Sequence, residues 1–121
     1  MARILIVDDS PSQLLILRRV VENMGHTVVT AEDGVKGVEA AKRELPDLIL
    51  MDVVMPNQNG FQATRAISRD KATSHIPILL VTTKDQETDR VWGLRQGAKA
   101  FITKPVNEAA LAGEIAKYIA K

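Results

Sequence analysis

Five short apolar runs separated by longer amphipathic stretches constrain this 121-residue chain more than any other feature. The runs are Arg3–Val7, Thr27–Thr30, Asp47–Met51, Ile78–Val81 and Ala100–Thr103. Near-continuous apolar runs of that length are what strands buried on both faces look like. The intervening stretches are long enough for crossover helices, so the alternation reads βαβαβαβαβα. It predicts an α/β fold, a five-stranded parallel sheet flanked by five helices in a flavodoxin-like, doubly wound arrangement.

Helix boundaries follow from local chemistry. Ser10-Pro11-Ser12-Gln13 reads as a helix start, with Ser10 as cap, Pro11 in the first turn and Gln13 closing a capping box. Leu14, Leu17, Val21 and Met24 recur at helical spacing until Gly25. Asp33-Gly34 opens a second helix with Val35, Val38, Ala41 and Leu45 as its expected inner face, stopped by Pro46. A third covers Phe61 to Arg69, with Phe61, Thr64, Ala66 and Ile67 for packing. The fourth runs from about Asp85 to Arg95 with Val91, Trp92 and Leu94. The last is capped by Asn107 and presents Leu111, Ile115, Tyr118 and Ile119.

A sheet of this kind binds ligands outside the carboxyl ends of its strands. The polar residues at those ends are Asp8, Asp9, Asp52, Thr82 and Lys104. Taken singly, each has a structural explanation, as a helix cap, a turn residue, a strand-ending hydroxyl or a solvated lysine. Together they form a site. Three clustered carboxylates repel unless neutralised, and oxygen-only ligands at a shallow edge suit Mg²⁺. Asp9, with Asp8 directly or through water, would hold the metal beside Asp52. Lys104 would add a second cation, and Thr82 a hydrogen bond. A carboxylate can accept a phosphoryl group when charge is neutralised and attack is in line. The combination points to phosphoryl chemistry on an aspartate.

Composition narrows the rest. The chain fits a single domain, residues 1–121, with no repeat, linker or attached output domain expected. With 16 basic and 15 acidic residues the formal charge is +1, which gives no electrostatic reason to expect nucleic acid. No apolar run approaches a membrane span. There is no cysteine, so disulfides and thiolate metal sites are excluded. A soluble cytoplasmic domain is the expectation, and a monomer the default.

The segments Leu5-Ile6-Val7-Asp8-Asp9-Ser10, Leu50-Met51-Asp52-Val53-Val54-Met55-Pro56, Asn59-Gly60, Val81-Thr82-Thr83 and Thr103-Lys104-Pro105 together resemble a response-regulator receiver domain of the CheY-like superfamily. The resemblance implies that a histidine kinase of the chemotaxis type donates a phosphoryl group to Asp52. It implies Mg²⁺ on Asp8, Asp9, Asp52 and the Val54 backbone carbonyl, with Thr82 as switch hydroxyl and Lys104 as phosphate-binding lysine. Phe101 matches the switch aromatic, where many members carry tyrosine. Val54 and Lys84 match the positions that tune phosphoryl lifetime. Val54 cannot orient an attacking water, which implies slow to intermediate self-hydrolysis. A cis peptide is usual in the family before the proline corresponding to Pro105.

The stretches from Gly60 to Arg65, Val81 to Asp89, Val91-Trp92-Gly93 and Arg95 to Ala98 are similar to the single-domain PilH-type regulators of twitching motility. That similarity implies a stand-alone two-component phosphoprotein rather than an enzyme acting on external substrates. It would signal by contact through the fourth helix, fifth strand and fifth helix, near Trp92, Phe101 and Tyr118, to a motility or signalling target, or drain phosphate from a shared kinase. Two other classes compete. An aspartate-nucleophile phosphatase commonly needs a second Asp where Val54 stands. An FMN-binding flavodoxin-like domain needs a hydroxyl- and glycine-rich loop where Asp8 and Asp9 stand. No GxxxxGK[ST] loop exists for nucleotide hydrolysis.

Overall fold

A computed structural model describes residues 1–55, 57 and 59–119; Pro56, part of one motif above, lies outside the described residues. The elements are β1 (Arg3–Val7), α1 (Pro11–Asn23), β2 (Thr27–Ala31), α2 (Gly34–Glu44), β3 (Leu48–Met51), α3 (Gly60–Arg69), β4 (Ile78–Thr82), α4 (Glu87–Arg95), β5 (Ala100–Thr103) and α5 (Glu108–Ile119). The strands pair in parallel in the order β2-β1-β3-β4-β5. The expected five-stranded, doubly wound sheet is what the chain forms. Strand order reverses between β1 and β3, which places the ligand crevice beside their carboxyl ends.

Strand residues alternate between two cores, as a period of two requires. Leu5, Val7, Ile49, Met51, Ile78 and Leu80 face Ala40 and Ala41 of α2 and Ala63 and Ile67 of α3. Ile4, Ile6, Leu48, Leu50, Leu79 and Val81 face Leu17, Val20 and Val21 of α1 and Leu111 and Ile115 of α5. The central strands are thus covered on both sides, and full burial of each large aliphatic side chain contributes about 1.5–3 kcal/mol. None of the described helices is long and apolar enough to cross a membrane.

Several sequence-based expectations need correction. Asp47 stands before β3 rather than in it, because its carboxylate accepts the Arg3 N–H (2.8 Å) while its own N–H donates to the Arg3 carbonyl. The inner face of α2 consists of Gly34, Gly37, Ala40 and Ala41. Val35 and Leu45 are exposed. The helix lies so close to β1 that a Cβ on Gly37 would meet Val7 Cγ1 at 2.9 Å, and such an approach favours the small-residue face over the bulky one. On α4 only Gly93 is buried, and Val91 and Trp92 face outward. A Cβ on Gly93 would meet Leu80 Cδ1 at 2.5 Å, with Phe61 and Phe101 ring atoms at 3.3 Å. The α4 helix starts at Glu87 rather than Asp85, where the Gln86 N–H donates to Asp89 Oδ2 at 3.3 Å.

The α1 cap is half of the expected box. Ser10 Oγ accepts the Gln13 N–H at 3.4 Å. The Ser10 N–H, which Gln13 would have taken in return, donates instead to Asp8 Oδ1 at 2.9 Å. Asn107 caps α5 as expected, accepting the Ala110 N–H at 2.9 Å.

Thr64 is fully buried on α3, and among the described residues its Oγ1 has no hydrogen-bond partner. An orphaned buried hydroxyl carries an uncompensated desolvation cost. Thr64→Val keeps the shape and removes the polar atom, so it is expected to stabilise the fold by about 1 kcal/mol. A shift of the urea midpoint to higher concentration at unchanged slope is the readout.

Candidate phosphoryl-transfer site

Ladder bonds at the ends of the strands carry the site residues to one edge. The Asp8 N–H donates to the Ala31 carbonyl on β2 at 3.1 Å, and the Asp52 N–H to the Val7 carbonyl on β1 at 2.9 Å. The Lys104 N–H donates to the Thr82 carbonyl on β4 at 2.7 Å. Asp8, Asp52 and Lys104 are therefore each registered against a neighbouring strand.

The side chains converge as the sequence predicts. Carboxylate oxygens of Asp8, Asp9 and Asp52 lie within 4.8 Å of one another. Asp8 and Asp52 are buried, whereas Asp9 is exposed to approaching solutes. Lys104 Nζ donates to Asp8 Oδ2 at 2.6 Å and lies 3.7 Å from Asp52 Oδ2. With side-chain exposures of 6% for Lys104 and 1% for Asp8, this is a buried ion pair. The Lys104–Pro105 peptide is cis. Asp52 Oδ1 accepts the Val53 N–H at 2.8 Å.

Electrostatics single out Asp52. Burial pushes its carboxyl above the usual carboxylate range; the Lys104 ammonium pulls it back, and the Asp8 charge pushes it up again. Its ionised form is therefore under-neutralised by the protein alone. Three hard oxygen donors and one lysine, with a net negative excess, suit a small divalent cation such as Mg²⁺. The residues present fit that ion.

A pocket of about 500 Å³ opens above these groups, lined by Asp8, Asp9, Asp52, Val54, Lys104 and Pro105 together with Ser10, Gln13 and Thr83. Those last three went unassigned to the site from the sequence. Ser10 and Gln13 were legible only as cap residues, and Thr83 stood behind Thr82. Thr82 itself is fully buried beneath the pocket, its Oγ1 accepting the Lys84 N–H at 3.3 Å. Lys84 turns away from the carboxylates, with its ammonium 3.8 Å from Asp89 on α4.

A separate groove of about 450 Å³ runs between α4, β5 and α5, with Arg90, Leu94, Lys99, Phe101, Glu114 and Tyr118 among its lining residues. Phe101 is half-buried and packs against the core beneath α4. Trp92 stands outward on α4 with 49% of its surface exposed.

Comparison with known proteins agrees with this geometry. Residues 4–116 match the model of the response regulator receiver domain. Protein PilH of Pseudomonas aeruginosa is 59% identical over 111 residues, 92% of each chain. The response regulator PleD of Caulobacter vibrioides is 42% identical over 91% of this chain, which spans only 24% of PleD. Among solved structures, the receiver domain of a Pseudomonas aeruginosa sensor histidine kinase superposes with a TM-score of 0.91 at 29% identity. The match covers 99% of this chain and 98% of that one, and that structure has a magnesium ion coordinated in its active-site cleft.

Proposed function

This chain belongs to the response regulator receiver domain family, and from that premise we propose that Asp52 is the residue that accepts the phosphoryl group. The chain is a phosphorylated signalling domain of the two-component class, with a histidine kinase as its donor class and its chemistry centred on its own aspartate cluster. The observation that carries the assignment to Asp52 is the placement of a buried carboxylate, raised in pKa, between an exposed acid and a buried lysine.

In the proposed transfer an Asp52 carboxylate oxygen attacks phosphorus, the phosphorus–nitrogen bond of the phosphohistidine breaks, and its electron pair returns to the imidazole. Asp8, Asp9, Asp52 and the Val54 carbonyl would hold Mg²⁺, which when bound neutralises the carboxylates and the phosphoryl oxygens. Lys104 places its ammonium against the same oxygens, a contribution of several kcal/mol for a charged transition state. Thr82 turns its hydroxyl from the Lys84 N–H toward the phosphoryl group, and Phe101 follows inward under α4. The α4-β5-α5 groove, near Trp92 and Tyr118, then presents a changed surface to a target in control of type IV pilus motility. The match to PilH over nearly the full length of both chains supports that assignment. Residues 1–121 act as one receiver unit, and a monomer is the working state because the apolar faces of α1, α2, α3 and α5 are spent on the sheet.

Incubation with acetyl phosphate followed by intact-mass measurement tests this reading. One phosphoryl group is expected with Mg²⁺ and none after chelation. Val54 is exposed at the pocket and offers no polar atom to a water. Val54→Asn is therefore expected to shorten the phosphoryl lifetime roughly tenfold, less than the ~100-fold minimum of a true proton-transfer group, because a carboxamide orients water without accepting its proton. An unchanged lifetime would remove Val54 from the hydrolytic role.

A further inference from the structure

The pocket wall formed by Val54 belongs to the loop between β3 and α3, and that loop is tied to the rest of the protein in an uneven way. At its base the Gly60 N–H donates to the Val53 carbonyl at 2.9 Å. There the backbones are so close that a Cβ on Gly60 would collide with the Asp52 carbonyl oxygen. At its far end Asn59 is consumed in capping α3 with Gln62. Met55 packs against the core, an apolar contact that sets depth but not direction. Among the described residues, one hydrogen bond reaches from the interior of the loop to another element. It is from Asn57 Nδ2 to Asp33 Oδ2, at 3.0 Å.

Both partners are committed to that contact. Asp33 is 7% exposed, and its other oxygen accepts the Lys36 N–H at 2.8 Å as the cap of α2. One carboxylate thus joins a helix terminus to the loop. Asn57 has a φ of 68°, in the left-handed region where asparagine and glycine are favoured. The Lys36 N–H, together with the Asn57 amide, holds the Asp33 carboxyl below the usual range against the cost of burial, so the acceptor stays ionised and the bond charge-assisted.

Resting on the phosphoacceptor reading above, we infer that Asp33 and Asn57 are positioning residues for the acidic site: their hydrogen bond fixes the loop that presents Val54 to the cation-binding carboxylates. Neither touches the reacting atoms. They act through the β3–α3 loop, whose residues Val53 and Val54 border the site, and they link α2 to the readiness of the site for its metal.

Two variants isolate the bond from the features around it. Asn57→Gly keeps the left-handed backbone accessible, changes no charge and removes the donor. Asp33→Ser retains a cap for α2 and is too short to reach Asn57. Mg²⁺ affinity is measured by titrating MgCl₂ while following the backbone amide resonances of Asp52, Val53 and Val54, with urea unfolding as a check on the fold. Each variant is expected to weaken Mg²⁺ binding roughly three- to tenfold, below the ~10–100-fold typical of groups bonded directly to a metal ligand, because Asp33 and Asn57 act one step farther out. The double variant is expected to be no weaker than the worse single one, because both remove the same bond. An unchanged affinity in Asn57→Gly would overturn the inference, as would additive losses in the double variant. Failure of the unaltered chain to bind Mg²⁺ would overturn the reading on which it rests, and the inference with it.

Discussion

Asp52→Asn is expected to take up no phosphoryl group from acetyl phosphate and, in the absence of Mg²⁺, to be more stable than the parent chain by on the order of 1 kcal/mol. The first half follows from the loss of the attacking carboxylate. The second follows from the direction in which the site moves the Asp52 carboxyl. Burial raises it, the Lys104 ammonium lowers it and the Asp8 charge raises it, with a net upward shift from 3.8. A carboxyl whose folded value lies above its unfolded one binds its proton more tightly in the folded state. Its contribution to stability is greatest in acid and is lost as pH rises through the raised folded value. At neutral pH the ionised Asp52 is therefore a net cost, which an uncharged amide of the same shape removes. Lys104 keeps its partner in the variant, because its 2.6 Å bond is to Asp8.

Urea unfolding at pH 7 with and without Mg²⁺ separates the two effects. Mg²⁺ at ten times its dissociation constant should stabilise the parent by about 1.4 kcal/mol and the variant by less, so the gap closes or reverses. The stability difference between parent and variant should also shrink as pH falls toward the ordinary carboxylate range. A variant less stable than the parent at pH 7 without Mg²⁺ would contradict the electrostatic account. A variant still labelled by acetyl phosphate would move the acceptor to another residue.

The site was legible in the sequence because its residues sit at strand ends, and strand ends in this chain are marked by the abrupt close of apolar runs. Asp8, Asp52, Thr82 and Lys104 all inherit their address from that rule. The strands were legible for the same reason, apart from boundary residues such as Asp47. Reading helix faces from large apolar residues worked for α1 and α5, where Leu17, Val21, Leu111 and Ile115 are buried. On α2 it placed Ala41 and Val38 correctly but Val35 and Leu45 wrongly. On α4 it failed for Val91 and Trp92. Both helices approach the sheet through glycines, Gly37 and Gly93. A close approach is invisible to a hydrophobic pattern, because the residue that permits it has no side chain to score. The Asp33–Asn57 bond escaped for another reason: its partners meet only after a crossover, and each alone reads as an ordinary cap or turn residue. The sequence also assigned Lys104 to a phosphoryl group, without foreseeing that it is already paired with Asp8.

That pairing sets the other large expected effect. Lys104→Met should lower stability by about 3–5 kcal/mol in the absence of Mg²⁺, the range for removing one partner of a buried ion pair. Methionine preserves the length and apolar stem of lysine and deletes the charge. Asp8, 1% exposed, and Asp52, 7% exposed, would then share a desolvated edge with no cation between them. Their combined repulsion and desolvation outweigh what the flexible thioether gains by packing. Saturating Mg²⁺ should recover much of the loss, because a divalent ion on the same oxygens supplies the missing positive charge. Phosphoryl uptake should still fall roughly a hundredfold, by analogy with loss of one positioned donor to a developing anion, since Mg²⁺ does not replace the second cation on the phosphoryl oxygens. The two readouts part the alternatives. Lost stability with normal uptake would make Lys104 a neutralising strut for the unphosphorylated site alone. Slow uptake with unchanged stability would mean that its 2.6 Å contact with Asp8 contributes nothing to the fold, and that the cluster tolerates its own charge by another route.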